Sequence, residues 1–319
     1  MEPIIKPIDR DLIIKELTPD KLIRKTRKGE NELYDITYEN SPNTMREIGR
    51  LRELSFRVAG GGTGKSFDID EFDTDPVSPY NQLIVWDPKD MEILGGYRYI
   101  VCRDIGKEKM ATSELFNFSD KFIEEYIPYT IELGRSFVQP NYQGTNIKHK
   151  GLYALDNLWD GLGALVMKHD SYKYFFGKVT MYSSYNVKAR NILLNFLSIY
   201  FNDIDHLVIP KEPLDFDSSN PEYSGIFCDL SYKDAYKLLS QKIRKTGEHI
   251  PPLINSYMNL SPSMLVFGTT INEKFGGVEE TGLMVKIQDI YQDKLDRHVS
   301  PLKNLRSRAK KFRPKWWRN

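Results

Sequence analysis

The stretch Thr130-Ile131-Glu132-Leu133-Gly134-Arg135-Ser136-Phe137-Val138 sets a carboxylate and a guanidinium into a run of otherwise apolar and small residues. Period-2 alternation places Glu132, Gly134 and Ser136 on one face of a strand and Ile131, Leu133, Arg135 and Phe137 on the other, so the two charges do not pair side by side. Charged side chains are almost never buried unpaired, so each needs a partner elsewhere. Such a strand either borders a cleft or belongs to an ion-pair network, and these residues alone leave both open.

Working outward, Gln82 to Trp86 and Ile93 to Cys102 read as two strands about a turn at Asp87-Pro88-Lys89-Asp90, a hairpin to which the opening strand adds a third member. Upstream, Tyr34 to Tyr38 alternates as a first strand, and Met45 to Val58 puts Ile48, Leu51, Leu54, Ser55 and Val58 on one helical stripe. Downstream come a helix with Leu152, Leu155, Leu158, Trp159, Leu162, Leu165 and Val166 on its apolar side, a strand from Tyr174 to Met181, and a helix capped by Ser183 or Ser184. His206 to Ile209 reads as a strand, Ser231 opens a helix ending at Gly247, and Met264 to Phe267 and Gly282 to Ile287 are late strands. The order describes one mixed α/β body over 33–292, with a charged, weakly patterned extension at 1–32 and a basic tail at 293–319.

Composition excludes several classes. No run of about 18 apolar residues and no signal-peptide core is present, so a cytoplasmic location is expected. Cys102 and Cys228 are too few for a disulfide framework or thiolate site, and the five histidines lack paired helical spacing, so no metal is expected. The net charge of +1 hides an asymmetry: residues 303–319 hold eight basic side chains and no acidic ones, leaving 37 basic against 44 acidic in the rest.

Ala59-Gly60-Gly61-Gly62-Thr63-Gly64-Lys65-Ser66 fits a relaxed phosphate-loop pattern, but a helix precedes it and five carboxylates follow between Asp68 and Asp75. Both facts oppose a triphosphate site, and a mobile Gly-rich lid is the expectation instead. The acidic run lacks the glycine that a calcium loop requires at its sixth position. It is either a solvated loop or, with Phe67, Ile69 and Phe72 packed down, a source of inward carboxylates for an amine or for Arg98 and Arg135. Arg98 is a lone charge in its own apolar strand, beside Gly95-Gly96. The tail mixes cations with Trp316 and Trp317, chemistry that serves nucleic acid or an anionic membrane surface equally.

Taken in order, several motifs resemble one family. They are Arg52 with Phe56, the Phe67 to Asp73 loop, Leu83 to Asp87, Gly96-Tyr97-Arg98, Glu132 to Ser136, and Pro140-Asn141-Tyr142-Gln143-Gly144. Leu158-Trp159-Asp160-Gly161, Phe175-Phe176-Gly177, Pro251 to Ile254 with Tyr257, and Phe275-Gly276 continue the series. The chain is similar to the GNAT-fold N-acyltransferases of the ornithine-lipid, hemolysin-like type, cousins of acyl-homoserine-lactone synthases. The resemblance implies a central mixed, mostly antiparallel sheet flanked by helices, and attack of an amino acid's α-amino group, ornithine or glycine, on an acyl thioester.

Because Gln139 to Gly144 supplies only the leading Gln and one Gly of the acetyl-CoA-type loop, the donor implied is acyl carrier protein, with acyl-CoA as the other possibility and no bound cofactor. Lys148-His149-Lys150 is a candidate dock for that acidic carrier. The resemblance points to Glu132 as the group accepting the amine's proton and to Arg135 beside it. Asp70 and Asp73 would orient the ammonium, Arg98 or Arg135 would take the acceptor's carboxylate, and Phe137, Val138 and Gln139 N–H groups would meet the oxyanion. A long-chain product explains the tail as an anchor on the inner membrane surface, with no nucleic acid partner expected.

Overall fold

The computed structural model describes every residue except 144–150, 170, 217–219, 221–222, 224 and 299–319. Gly144, the Lys148-His149-Lys150 patch and the basic tail from Lys303 therefore lie outside the described residues. The chain order is α1 (Arg10–Glu16), β1 (Leu22–Lys25), β2 (Glu32–Ile36), α2 (Pro42–Ala59), α3 (Glu71–Thr74), β3 (Asn81–Asp87), β4 (Glu92–Val101), β5 (Phe116–Phe118) and β6 (Thr130–Val138). It continues with α4 (Gly151–Lys168), β7 (Tyr174–Met181), α5 (Val187–Tyr200), β8 (Val208–Pro210), α6 (Tyr232–Arg244), α7 (Pro252–Met258), β9 (Leu265–Asn272), β10 (Val278–Lys286) and α8 (Gln292–His298).

Eight strands form one sheet in the order β1-β2-β3-β4-β6-β7-β10-β9, while β5 and β8 pair separately. Every neighbour in the large sheet is antiparallel except β6 and β7, which run parallel because α4 carries the chain back across the sheet between them. This is the mixed, mostly antiparallel sheet flanked by helices that the resemblance implies. The β3–β4 hairpin and its third member β6 stand where alternation put them.

Alternation sorts the core onto two faces. Leu83, Val85, Tyr97, Ile131 and Leu133 pack on Leu158, Leu162 and Leu165 of α4, and Val179, Met181, Leu283 and Val285 continue that face under α5 and α6. On the opposite face Ile84, Trp86 and Ile93 meet Met45, Ile48, Leu51 and Phe56 of α2. The α2 stripe is wider than expected, taking in Arg52 and Glu53, whereas Val58 is exposed.

Three local expectations are revised. The stretch before residue 33 contributes α1, which buries Ile13, and the edge strand β1, which pairs with β2. Its apolar residues are too few for periodicity to register either. Helix α5 is capped by Asn186, whose side chain accepts from the N–H groups of Lys188 and Ala189, rather than by Ser183 or Ser184. Residues at the start of the expected tail form α8, where His298 Nδ1 lies 2.9 Å from Asp160 of α4. No helix among the described residues is long and apolar enough to cross a membrane.

The Gly-rich loop is fastened, which corrects the expectation of a mobile lid. Buried Glu53 of α2 accepts from Thr63 N–H (3.0 Å), Thr63 Oγ1 (2.8 Å), Gly64 N–H (2.8 Å) and Arg57 Nε (2.6 Å). Burial pushes the Glu53 carboxyl up, yet Arg57, Thr63 and Gly64 together hold it below its ordinary value. The backbone donors that would cradle a phosphate thus cradle the protein's own carboxylate. Glu53→Ala is expected to lower unfolding free energy by about 3 kcal/mol, since it strands these donors. Urea titration checks this, and an unchanged midpoint would mean that the loop needs no such anchor.

Candidate active site

Cross-strand register places Gln82, Arg98, Ile100, Glu132 and Gly134 on the α2 face of the sheet. Gly134 pairs with Arg98 and Phe137 with Gly96, so three steps on β6 answer two on β4. This is a β-bulge, and Arg135 carries it at φ 51°, a left-handed backbone that arginine rarely adopts. The bulge turns Arg135 onto the Glu132 face and brings Phe137 with it, correcting the simple alternation. Arg135 Nε lies 2.9 Å from Asp68, its guanidinium sits over the Phe275 ring at 4.3 Å, and Phe137 joins the cluster of Phe56 and Ile84.

Glu132 is buried, 1% exposed. Its carboxylate accepts from the Tyr80 hydroxyl and from Thr112 N–H at 2.8 Å, and Tyr80 in turn accepts from Ala111 N–H at 2.9 Å. Burial raises the Glu132 carboxyl above its ordinary value, although Tyr80, Thr112 and Arg98 pull the other way. A carboxylate poised upward is a better proton acceptor than an ordinary surface glutamate.

The arginines are held by the acidic loop. Arg98 Nη1 lies 2.6 Å from Asp70 and 3.3 Å from Asp73, Arg52 Nη1 lies 3.0 Å from Asp73, and Arg135 Nη2 lies 3.5 Å from Asp70. Gln82 completes the network, donating to Asp73 at 2.9 Å and accepting from Arg52. Burial opposes ionisation of Asp70, but Arg98, then Arg135 and Arg52, hold its carboxyl well below the usual range. At Asp68 burial wins over Arg135 and the carboxyl is raised. Asp73 is fully buried beneath Arg52 and Arg98, and neither it nor Asp70 borders the cavity described next.

Strands β6 and β7 pair only from Thr130–Tyr174 to Leu133–Gly177 and then part. The bulge explains the parting, because it bends β6 and raises its local twist just past the last pair. A cavity of about 780 Å³ occupies the gap and borders both faces of the sheet. On the α2 face it is lined by Arg98, Thr112, Glu132, Arg135, Lys178 and Glu280. On the α4 face it is lined by Leu133, Leu158, Trp159, Val179, Leu253 and Tyr257. Most of the charged lining groups lie on the α2 face, beside Phe56, Phe137 and Phe176, while the α4 side is mostly apolar apart from Glu248 and His249, with Gly134 to Val138 between them. Gln139 N–H donates to Leu94 O at 3.0 Å, so alternation along the ladder directs Phe137 toward β4 as well and Val138 toward the gap. Of the three expected oxyanion donors, Val138 N–H alone faces the opening.

Residues 51–150 match the acetyltransferase (GNAT) domain family. The glycine N(alpha)-acyltransferase of Bacteroides thetaiotaomicron is 55% identical over 304 residues, 94% of this chain and 90% of that one. The glycine N(alpha)-acyltransferase of Phocaeicola vulgatus is 52% identical over 304 residues, 94% and 93% of the two chains. The chain belongs to the GNAT-fold N-acyltransferases. A solved structure, that of the AHL synthase LasI, shares 12% identity at a TM-score of 0.31, covering 46% of this chain and 71% of that one.

In this N-acyltransferase the structure brings together Glu132, Arg98, Arg135, Phe137 and Val138 around one cavity. Asp70 and Asp73 stand behind the arginines. Asp68 is one of the inward carboxylates that the acidic run offers to Arg135, whereas no sequence signal marks Tyr80, Thr112, Lys178 or Glu280 as site residues. Tyr80 and Thr112 reach Glu132 across 52 and 20 residues, and neither carries a local pattern that marks it.

Proposed function

We propose that the chain moves a long acyl group from the phosphopantetheine thioester of acyl carrier protein to the α-amino group of glycine, as a step of aminolipid synthesis. The observation that carries this reading is the position of Glu132, a raised carboxylate on the more charged side of a gap whose other side is mostly apolar. The acyl chain lies on the Trp159 and Tyr257 side, and the amine approaches from the Glu132 side. Glu132 takes a proton from the ammonium, and the freed lone pair attacks the thioester carbon. The carbonyl oxygen gains charge and is met by Val138 N–H. Collapse breaks the C–S bond, the nitrogen's second proton passes to the leaving sulfur to give amide and carrier thiol, and Glu132 returns its proton to solvent. Asp70, Asp73 and Asp68 act behind the site, fixing Arg98 and Arg135.

Glycine as acceptor is supported by the names of the two relatives. A bilayer-bound product would give the basic, Trp-bearing tail a membrane surface to meet. The test is in vitro. Purified chain is offered acyl carrier protein or coenzyme A thioesters of one long acyl chain, with glycine, ornithine and other amino acids. N-acylglycine and free carrier thiol in equal amounts, favoured with the carrier protein donor, is the expected result. Thioester hydrolysis without amide, or preference for another acceptor, would overturn it.

A further inference from the structure

Gly134 and Lys178 stand one step beyond the last β6–β7 pair, on facing edges of the gap, and both border the cavity. Across the sheet on the other side of Gly134 is Arg98, its register partner on β4. Two cations therefore flank a strand position that has no side chain. A Cβ placed on Gly134 would meet Arg98 Nε at 3.5 Å and Arg98 Cγ at 3.6 Å, and among the described residues nothing else lies within 4 Å. Apart from Arg98, the space above Gly134 is open.

Two polar groups are left with donors for that space. Arg98 is 2% exposed, and its Nε, buried without a hydrogen-bond partner, is the atom beside Gly134. A buried N–H without an acceptor is costly unless a ligand supplies one. Lys178 Nζ bonds Glu280 at 2.8 Å, whereas an ammonium carries three donors. Glu280, 2% exposed, fixes the lysine and also accepts from Thr180 at 3.2 Å and Asn272 at 3.4 Å. Glu132 lies two residues back on the same strand face, about 6–7 Å along β6.

We propose that the floor over Gly134, between Arg98 Nε and Lys178 Nζ, receives the α-carboxylate of the acceptor amino acid while its amine meets Glu132. This rests on the amino-acid N-acyltransferase reading and assigns the residues that make an amino acid, rather than a simple amine, the acceptor. In this assignment Arg135 keeps its ion pairs with Asp68 and Asp70 and its contact with Phe275.

Steady-state rates with glycine and with glycinamide, which keeps the amine and lacks the carboxylate, test the assignment. Lys178→Met is expected to cut the ratio of glycine to glycinamide kcat/KM by about 10- to 100-fold, the value of a charge-assisted hydrogen bond. Gly134→Ala introduces only ordinary van der Waals contacts, so its thermal midpoint is expected to stay at the wild-type value. Its KM for glycine is expected to rise about tenfold or more as the methyl fills the floor. A wild-type glycine to glycinamide ratio in Lys178→Met, or a wild-type KM in Gly134→Ala, would overturn the carboxylate site while leaving the acyl-transfer reading intact. Failure of the unaltered protein to acylate any amino acid would instead remove that reading and the site with it.

Discussion

Glu132→Gln is expected to lower kcat/KM for amide formation about 10²- to 10⁴-fold, the range of a lost general base, while the protein stays folded. The raised carboxyl makes the stability side predictable. A folded pKa above the unfolded value means that ionising Glu132 costs stability. That cost is absent below the unfolded glutamate pKa of about 4.3 and present in full above the raised folded value. Glutamine removes that cost but turns one of the two oxygens that accept from Tyr80 and Thr112 into an NH2 donor, so thermal denaturation at pH 7 is expected to give a midpoint close to that of the unaltered protein. Activity close to wild type in a folded Glu132→Gln variant would reduce Glu132 to a structural partner of Tyr80 and Thr112.

Asp73→Asn is expected to act in the opposite sense, through the fold. The substitution keeps shape but leaves Arg52, wholly buried, and Arg98, nearly so, short of a carboxylate that both of them touch. Removing one partner from a buried ionic network costs about 3–5 kcal/mol, because the remaining charges stay out of water uncompensated. Urea titration is expected to show that loss, with activity falling as Arg98 loses its support. Wild-type stability combined with a raised KM for the acceptor would mean that Asp73 binds the ammonium directly.

Much of this molecule can be read from residue order. Alternation in β3, β4 and β6 gives the central strands, and the ordered motifs from Arg52 to Gly276 give the fold and the family. The bulge is hidden because Arg135 takes the left-handed backbone beside Gly134, the residue that sequence logic would choose for it. A one-residue slip in the strand moves Arg135 and Phe137 to the other face, and no local pattern announces it. Tyr80 and Thr112 are equally silent, since their contact with Glu132 exists only once β3, β6 and the Ala111–Glu114 turn are assembled. The phosphate-loop look of Gly60 to Ser66 resolves once Glu53 is seen inside it. Lys178 reads as one polar residue in an alternating strand until the fold sets it at the edge of the gap beside Gly134.

The central claim is that this cavity joins an acyl chain to an amino acid through Glu132. The most direct measurement is mass spectrometry of lipids extracted from one heterologous host expressing either the unaltered chain or Glu132→Gln at matched levels. A new N-acylglycine series with the unaltered chain, absent or nearly so with the variant, is the predicted result. No new lipid from a well-expressed, unaltered chain, or the same lipid in equal amount from Glu132→Gln, would contradict it.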